Sequence, residues 1–255
     1  MPSGILQEMV QAEFKAWRPE VAVLPVGATE QHGMHLPFGC DTYHVIRTVA
    51  LAAAAANREG GRILVLPAIP YGIDTNMMAF PYTLTVLPST LMVLIRDIID
   101  SAAHHGMRKF LMVNGHGGNT STLETVCREY YRKDIFIALL NDWALATDVV
   151  ARVITTQTEH ACEAETSDAL ALMPELVKME LAGPGPTRAC KLPALVKYGG
   201  KFTRPWEHFT VNGGVGHPEL ATKEKGEAIL RATVERMKEI FLELSNAEMT
   251  DTFPY

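Results

Sequence analysis

Basic residues are in deficit in this chain: 23 Lys and Arg stand against 29 Asp and Glu, a net charge of −6 with neutral histidine. A general binder of nucleic acid or of an anionic membrane needs the opposite balance, because it must displace counterions from a polyanion. Both classes are therefore excluded as the main activity, and neither nucleic acid nor membrane is expected as a partner. Cysteine is scarce, and the four present, Cys40, Cys127, Cys162 and Cys190, form no C-x-x-C pair. That argues against a disulfide framework and for reduced thiols in a reducing compartment. Long apolar runs are missing too. The longest, Val49 to Ala56, falls far short of the ~20 residues that cross a bilayer. Met1-Pro2-Ser3-Gly4 opens the chain without a basic cluster or a following apolar block, so a cytoplasmic location is expected.

What is present is enough for a large buried core: 255 residues, 47% hydrophobic and 20% charged, which suits one folded domain spanning 1–255. Short apolar runs at 21–27, 63–67, 109–115 and 135–140 have strand length and end near turn residues. Their apolarity is continuous rather than alternating, as in a parallel sheet covered on both faces. Between them Leu91, Leu94, Ile95, Ile98, Ile99 and Ala102 recur at helical spacing, with Ser89 or Thr90 as the expected cap. Ser121 and Glu124 fit a capping box, and Leu230, Val234, Met237, Phe241 and Leu244 make a final helical stripe. The fold class is α/β. The Pro- and Gly-rich stretch 183–218 reads as loops or short strands, suited to a lid or a subunit contact.

Three clusters carry the chemistry. The first, Gly27 to Asp41, begins where the first strand ends, the place where open α/β sheets hold their ligands. Glu30 and His32 are two apart, so an extended backbone sends both side chains to one face. Asp41, beyond a Pro and Gly turn, has two oxygens with which to bridge two ions, although Asp before a helix also serves as an ordinary cap. The second, Asn114-Gly115-His116-Gly117-Gly118-Asn119, offers one ligand nitrogen among glycines that permit close approach. A bare anion-binding turn is the competing reading, weakened because no Lys follows as in a P-loop. The third, Glu159 to Ser167, packs Glu159, Glu163 and Glu165 around His160, and a cation or solvent must neutralise them. Alone it would read as an exposed acidic helix start.

Jointly the clusters offer His with Glu and Asp in the mixture that suits Zn, Mn or Fe rather than Ca or Mg. His44, His104, His105 and His208 lack such company and are read as surface or core residues; His35 and His217 stay ambiguous. None of the cysteines reads as a nucleophile.

In this order the motifs resemble those of the creatininase family of metal-dependent amidohydrolases, G-x-T-E-Q-H-G-x-H-L-P, N-G-H-G-G-N and H-A-x-E-x-E-T-S, standing here at 27–37, 114–119 and 160–167. The resemblance covers almost the whole chain. It implies a three-layer sandwich with a mostly parallel central sheet between helices, a centre of two divalent ions, Zn or Mn first and Fe as an alternative, and a homohexamer. Carried over residue by residue, it implies Glu30, His32, Asp41 and His116 as metal ligands, with Asp41 bridging. The namesake enzyme has an aromatic and a glutamate where this chain has Gly117 and Gly118. Glu163 is the expected replacement ligand, and Glu165 the proton-handling group, although the two could exchange roles.

The departures also bear on substrate. Gly117 stands where an aromatic encloses the ring in the namesake, Thr155-Thr156 where a tryptophan precedes the Glu-His pair, while Trp143 matches another pocket tryptophan. Trp143, Gly117 and Tyr71 are the expected substrate contacts, and creatinine itself is disfavoured. The leading reading is hydrolysis of a small cyclic amide C–N bond by metal-activated water, with His160 passing a proton to the leaving nitrogen and Glu165 orienting water or His160. A cyclic ketone such as an inosose, a formamide or a peptide bond are the alternatives. Non-enzymatic rivals are a phosphate- or nucleotide-binding module and a structural oligomer that merely stores metal.

Overall fold

The computed structural model describes residues 3–131 and 134–255; Met1 and Pro2 of the opening segment lie outside them. The four expected strands form one sheet: β1 (Val21–Val26), β2 (Ile63–Val65), β3 (Lys109–Asn114) and β4 (Phe136–Asn141). Their order is β2-β1-β3-β4 and every pairing is parallel, with Val21 opposite both Ile63 and Lys109, and Lys109 opposite Phe136. The helices are α1 (Gln11–Trp17), α2 (Cys40–Arg58), α3 (Pro88–His104), α4 (Thr120–Glu129), α5 (Thr147–Val153), α6 (Glu163–Leu172), α7 (Pro193–Lys197), α8 (Trp206–Phe209) and α9 (Lys223–Asn246).

Alternation along the strands sorts the core into two layers. Ala22, Leu24 and Val26 of β1, with Phe110 and Met112 of β3, pack on Leu91, Ile95 and Ile99 of α3 and Leu123 and Val126 of α4. Val21 and Val23, with Leu111 and Val113, pack on Val45, Val49 and Ala52 of α2 and Met237 and Phe241 of α9. The result is the three-layer α/β sandwich. Each of the buried Val, Leu, Ile, Phe and Met side chains among them is worth ~1.5–3 kcal/mol of hydrophobic stabilisation.

Helix starts depart from expectation in detail. At α3 the N-cap is Leu87 with Pro88 in the first turn, whose fixed φ suits that position, so neither Ser89 nor Thr90 caps it. At α4 the chain enters through a 3-10 turn at Gly117–Asn119, and Asn119 makes no side-chain cap bond, so the capping box is not formed. α9 is capped by Thr222, whose Oγ1 accepts from the Lys225 N–H at 3.3 Å. The 183–218 stretch is mostly irregular, pinned by isolated bridges Gly185 to Gly216 and Thr187 to Thr210. Among the described residues no helix is long and apolar enough to cross a membrane.

Candidate metal centre

Parallel strands deliver the loops after β1 and β3 to the same carboxyl edge, because β1 and β3 are direct neighbours in register. Glu30 and His32 leave β1 two residues apart, and Gly33, at φ 58, turns the chain away behind them. Asp41 is not a cap: α2 begins at Cys40, so Asp41 lies inside its first turn, where the positive end of the helix dipole favours a carboxylate. Its two oxygens face two different rings. Oδ1 is 2.9 Å from His32 Nε2, and Oδ2 is 3.0 Å from His116 Nδ1. Glu30 Oε1 is also 3.0 Å from His116 Nδ1, and His160 Nδ1 is 3.6 Å from the same oxygen. The His32 and His160 rings stack obliquely at 4.3 Å.

Burial sets the electrostatics. Glu30 and His32 are 2% and 1% exposed, and Asp41 7%. Burial lifts Glu30 to about 7, against the pull of His116. Burial opposes charge on His32, yet Asp41 outweighs it and raises the imidazole to about 10. His116 likewise rises well above its ordinary value: burial works against it, and Glu30 with Asp41 prevails. Asp41 is held well below the usual carboxylate range because the two histidines more than offset its burial. Among the described residues the ion-pair partners of Glu30 and Asp41 are histidines, with no Lys or Arg reaching either.

Such a donor set suits a divalent cation better than it suits protonated histidine. Glu30, His32 and His160 each offer an atom within 4.8 Å of the others, as do His32, Cys40 and Asp41, and Glu30, Asp74 and His116. Glu30 Oε1 has no hydrogen-bond donor although fully buried. Imidazole nitrogens and carboxylate oxygens in this mixture fit Zn, Mn or Fe. Cys40 is buried with its thiol pushed well above its ordinary value by desolvation, so it is a neutral neighbour rather than a nucleophile.

His160 lies on the segment entering α6. Its Nε2 donates to the Gln31 carbonyl at 2.8 Å, which fixes the tautomer and leaves the Nδ1 lone pair facing Glu30. Burial, with His32 beside it, depresses its pKa to about 3, so the ring is neutral. Glu165 Oε2 accepts from the Ala161 N–H at 2.5 Å, holding Ala161 at φ 47, a left-handed conformation unfavourable by ~1 kcal/mol for a residue with a Cβ. The Glu165 carboxyl, lifted to about 7 by burial, thereby fixes the turn that presents His160.

The expectation for Glu163 fails. Its carboxylate is fully buried elsewhere, 2.5 Å from Lys225 Nζ and 2.8 Å from Thr156 Oγ1, with the Thr155 N–H also donating at 3.2 Å. Burial opposes its charge, but Lys225 and the two threonines keep it ionised. The physical reason is helical: residues two apart on α6 point roughly 200° from each other, so Glu163 and Glu165 cannot share a site. Of the expected substrate contacts, Tyr71 and Trp143 are each 46% exposed on segments following β2 and β4, and Gly117 is exposed beside His116.

Three residues near the cluster lie outside the motifs, in the segments 71–82 and 201–217 that the sequence offers only as pocket walls. Asp74, fully buried, lies 2.9 Å from His116 Nε2. Trp206 meets the His160 ring edge-on at 5.5 Å, anchored by its Nε1 donating to the Gly213 carbonyl, and Arg204 stacks over it while pairing with Glu159. Asp74 lies on the irregular segment after β2, where no motif or spacing marks it. His35, left ambiguous by the sequence, pairs through Nε2 with Thr166 Oγ1 at 2.7 Å, and His44, set aside there, pairs with Asp142 at 3.0 Å.

A parallel sheet with a buried histidine–carboxylate cluster at its carboxyl edge defines an α/β protein with a candidate metal centre. The family model for creatinine amidohydrolase matches residues 7–241. The chain is 30% identical to the creatinine amidohydrolase of Pseudomonas putida over 241 residues, covering 84% of this chain and 86% of that protein. It is 31% identical to the mycofactocin precursor peptide peptidase of Mycobacterium ulcerans over 241 residues, covering 91% and 88%. A Bacteroides fragilis structure assigned as a creatinine amidohydrolase superposes with a TM-score of 0.88 at 30% identity, over 98% of this chain and all of that one. A creatininase structure named with Mn gives 0.79 at 27% identity, over 96% of this chain and all of that one. The chain belongs to the creatininase family, whose relatives are hydrolases acting on amide bonds.

Proposed function

We propose that this chain, acting as one domain over 1–255, hydrolyses the C–N bond of a small, cyclic amide other than creatinine at a centre of two divalent ions, Zn or Mn first and Fe as the alternative. The observation that carries the reading is Asp41, whose two oxygens each face a different buried histidine at 2.9 and 3.0 Å, the arrangement of a bridging carboxylate. Glu30, His32, Asp41 and His116 would hold the ions. Bound there, divalent ions supply Lewis acidity and a water acidified toward pKa ~7.

The rest falls to the chain. His160, neutral and with Nδ1 facing Glu30 at 3.6 Å, would pass a proton from the attacking water to the leaving nitrogen. Glu165 holds the Ala161 turn and so aims His160. Trp206 walls one edge of that ring and limits its rotation. Tyr71, Trp143 and the open Gly117 turn meet the substrate, and without bulk at Gly117 the pocket admits something larger than the creatinine ring. A homohexamer in the cytoplasm completes the proposal.

Assays on a panel of lactams, formamides, short peptides and cyclic ketones, with chelated protein as control, test it. His160→Asn is expected to lower turnover by about 10²–10⁴, the range of one general acid–base group, while the metal content of the purified protein stays at the wild-type value. Equal loss of metal and turnover would make His160 a ligand instead.

A further inference from the structure

The segment after β2 presents a carboxylate that the mechanism above does not use. Asp74 is fully buried, and its backbone is pinned on both sides: its N–H donates to Thr85 Oγ1 at 2.9 Å, and its carbonyl accepts from the Met77 N–H at 2.8 Å. One residue earlier, the Ile73 N–H donates to Asn119 Oδ1 at 3.0 Å, which ties the segment to the turn that carries His116. The side chain is thus delivered by a fixed backbone.

Neither oxygen of Asp74 has a hydrogen-bond donor, and Glu30 Oε1 beside it has none either. His116 Nε2 comes within 2.9 Å of Asp74 Oδ1, but its N–H is turned to the Ile73 carbonyl at 3.3 Å, so the carboxylate is off the line of the bond. A carboxylate buried without donors is penalised by several kcal/mol, and native proteins rarely keep one unless a cation or water answers it. Glu30, Asp74 and His116 offer ligand atoms within 4.8 Å of one another, close to the spread around one ion at bonds of about 2.0–2.2 Å. A side chain at Gly118 cannot take that place, because its Cβ would collide with the Ile73 carbonyl and come within 2.5 Å of His116 Nε2.

From this geometry we infer that Asp74 is a ligand of the centre, sharing one ion with Glu30 and His116. The inference rests on the metal-centre reading above and extends its ligand set to a residue outside the motifs.

Chelator-stripped wild type, Asp74→Asn and Asp74→Ala, titrated with Mn²⁺ alone and then with Zn²⁺ alone by calorimetry and checked by elemental analysis, provide the test. Wild type takes two ions per chain. Asp74→Asn keeps one at wild-type affinity, while the other is weakened by at least about 100-fold, beyond what an outer carboxylate that merely orients a ligand contributes. Thermal melts of the same proteins give a second measurement. Without metal both variants melt at or above the wild-type temperature, because a buried carboxylate with no aligned donor is gone; with metal they melt below it. A carboxylate that only braced its loop would lower both melts. Two ions bound by Asp74→Asn within twofold of the wild-type affinities would overturn Asp74 alone, and a wild type that binds no ion would overturn the metal centre and Asp74 together.

Discussion

Asp41→Asn is expected to strip both ions from the protein and to lower kcat/KM by at least a thousandfold, about 4 kcal/mol at ~1.36 kcal/mol per decade. Among the described residues no other side chain near the cluster divides two oxygens between two histidines, His32 at 2.9 Å and His116 at 3.0 Å. An asparagine has one acceptor oxygen, so it can serve one side only, and it presents an N–H₂ to the other. The substitution also removes the carboxylate that outweighs burial at His32, and leaves His116 with Glu30 at 3.0 Å and Asp74 at 2.9 Å as its counter-charges. Elemental analysis of the purified variant, beside its kinetics on the substrate panel, checks the result. A variant that retained two ions would show that Asp41 bridges nothing.

Lys225→Met should do the opposite: leave metal content unchanged and lower stability by about 3 kcal/mol, the lower end for breaking a buried pair because Lys225 is itself about a quarter exposed. At ~2–4 °C per kcal/mol for a chain of this size, the melting temperature falls by roughly 6–12 °C. Glu163 would then sit fully buried with only the Thr155 N–H and two hydroxyls to answer its charge. Differential scanning calorimetry with metal analysis on the same samples decides it. Loss of an ion instead of stability would return Glu163 to the centre.

These two residues mark where the sequence was readable and where it was not. Continuous apolar runs announced the parallel strands, and two neighbouring strands in register carry their following loops to one edge, so Glu30, His32, Asp41 and His116 converge as their motifs imply. The acidic run at 159–165 was harder, because spacing alone does not say where an extended segment gives way to a helix. Once α6 starts at Glu163, that residue and Glu165 part company, and the lysine that takes Glu163 comes from α9, 62 positions along the chain. Asp74 carries no motif. It arrives through long-range bonds, Ile73 to Asn119 and Asp74 to Thr85, that no local pattern encodes. The α3 start was misread for a simpler reason: Pro88 supplies the helical φ directly, so the hydroxyls after it are not needed as caps.

The central claim is tested most directly by anomalous diffraction from crystals of the protein loaded with Zn²⁺ or Mn²⁺, collected across the absorption edge of the metal used. Two peaks roughly 3.5–4 Å apart, one on each side of the Asp41 carboxylate, are expected, the separation typical of paired hydrolytic ions. Peaks confined to other parts of the surface, with the space between His32 and His116 lacking anomalous signal, would contradict the account.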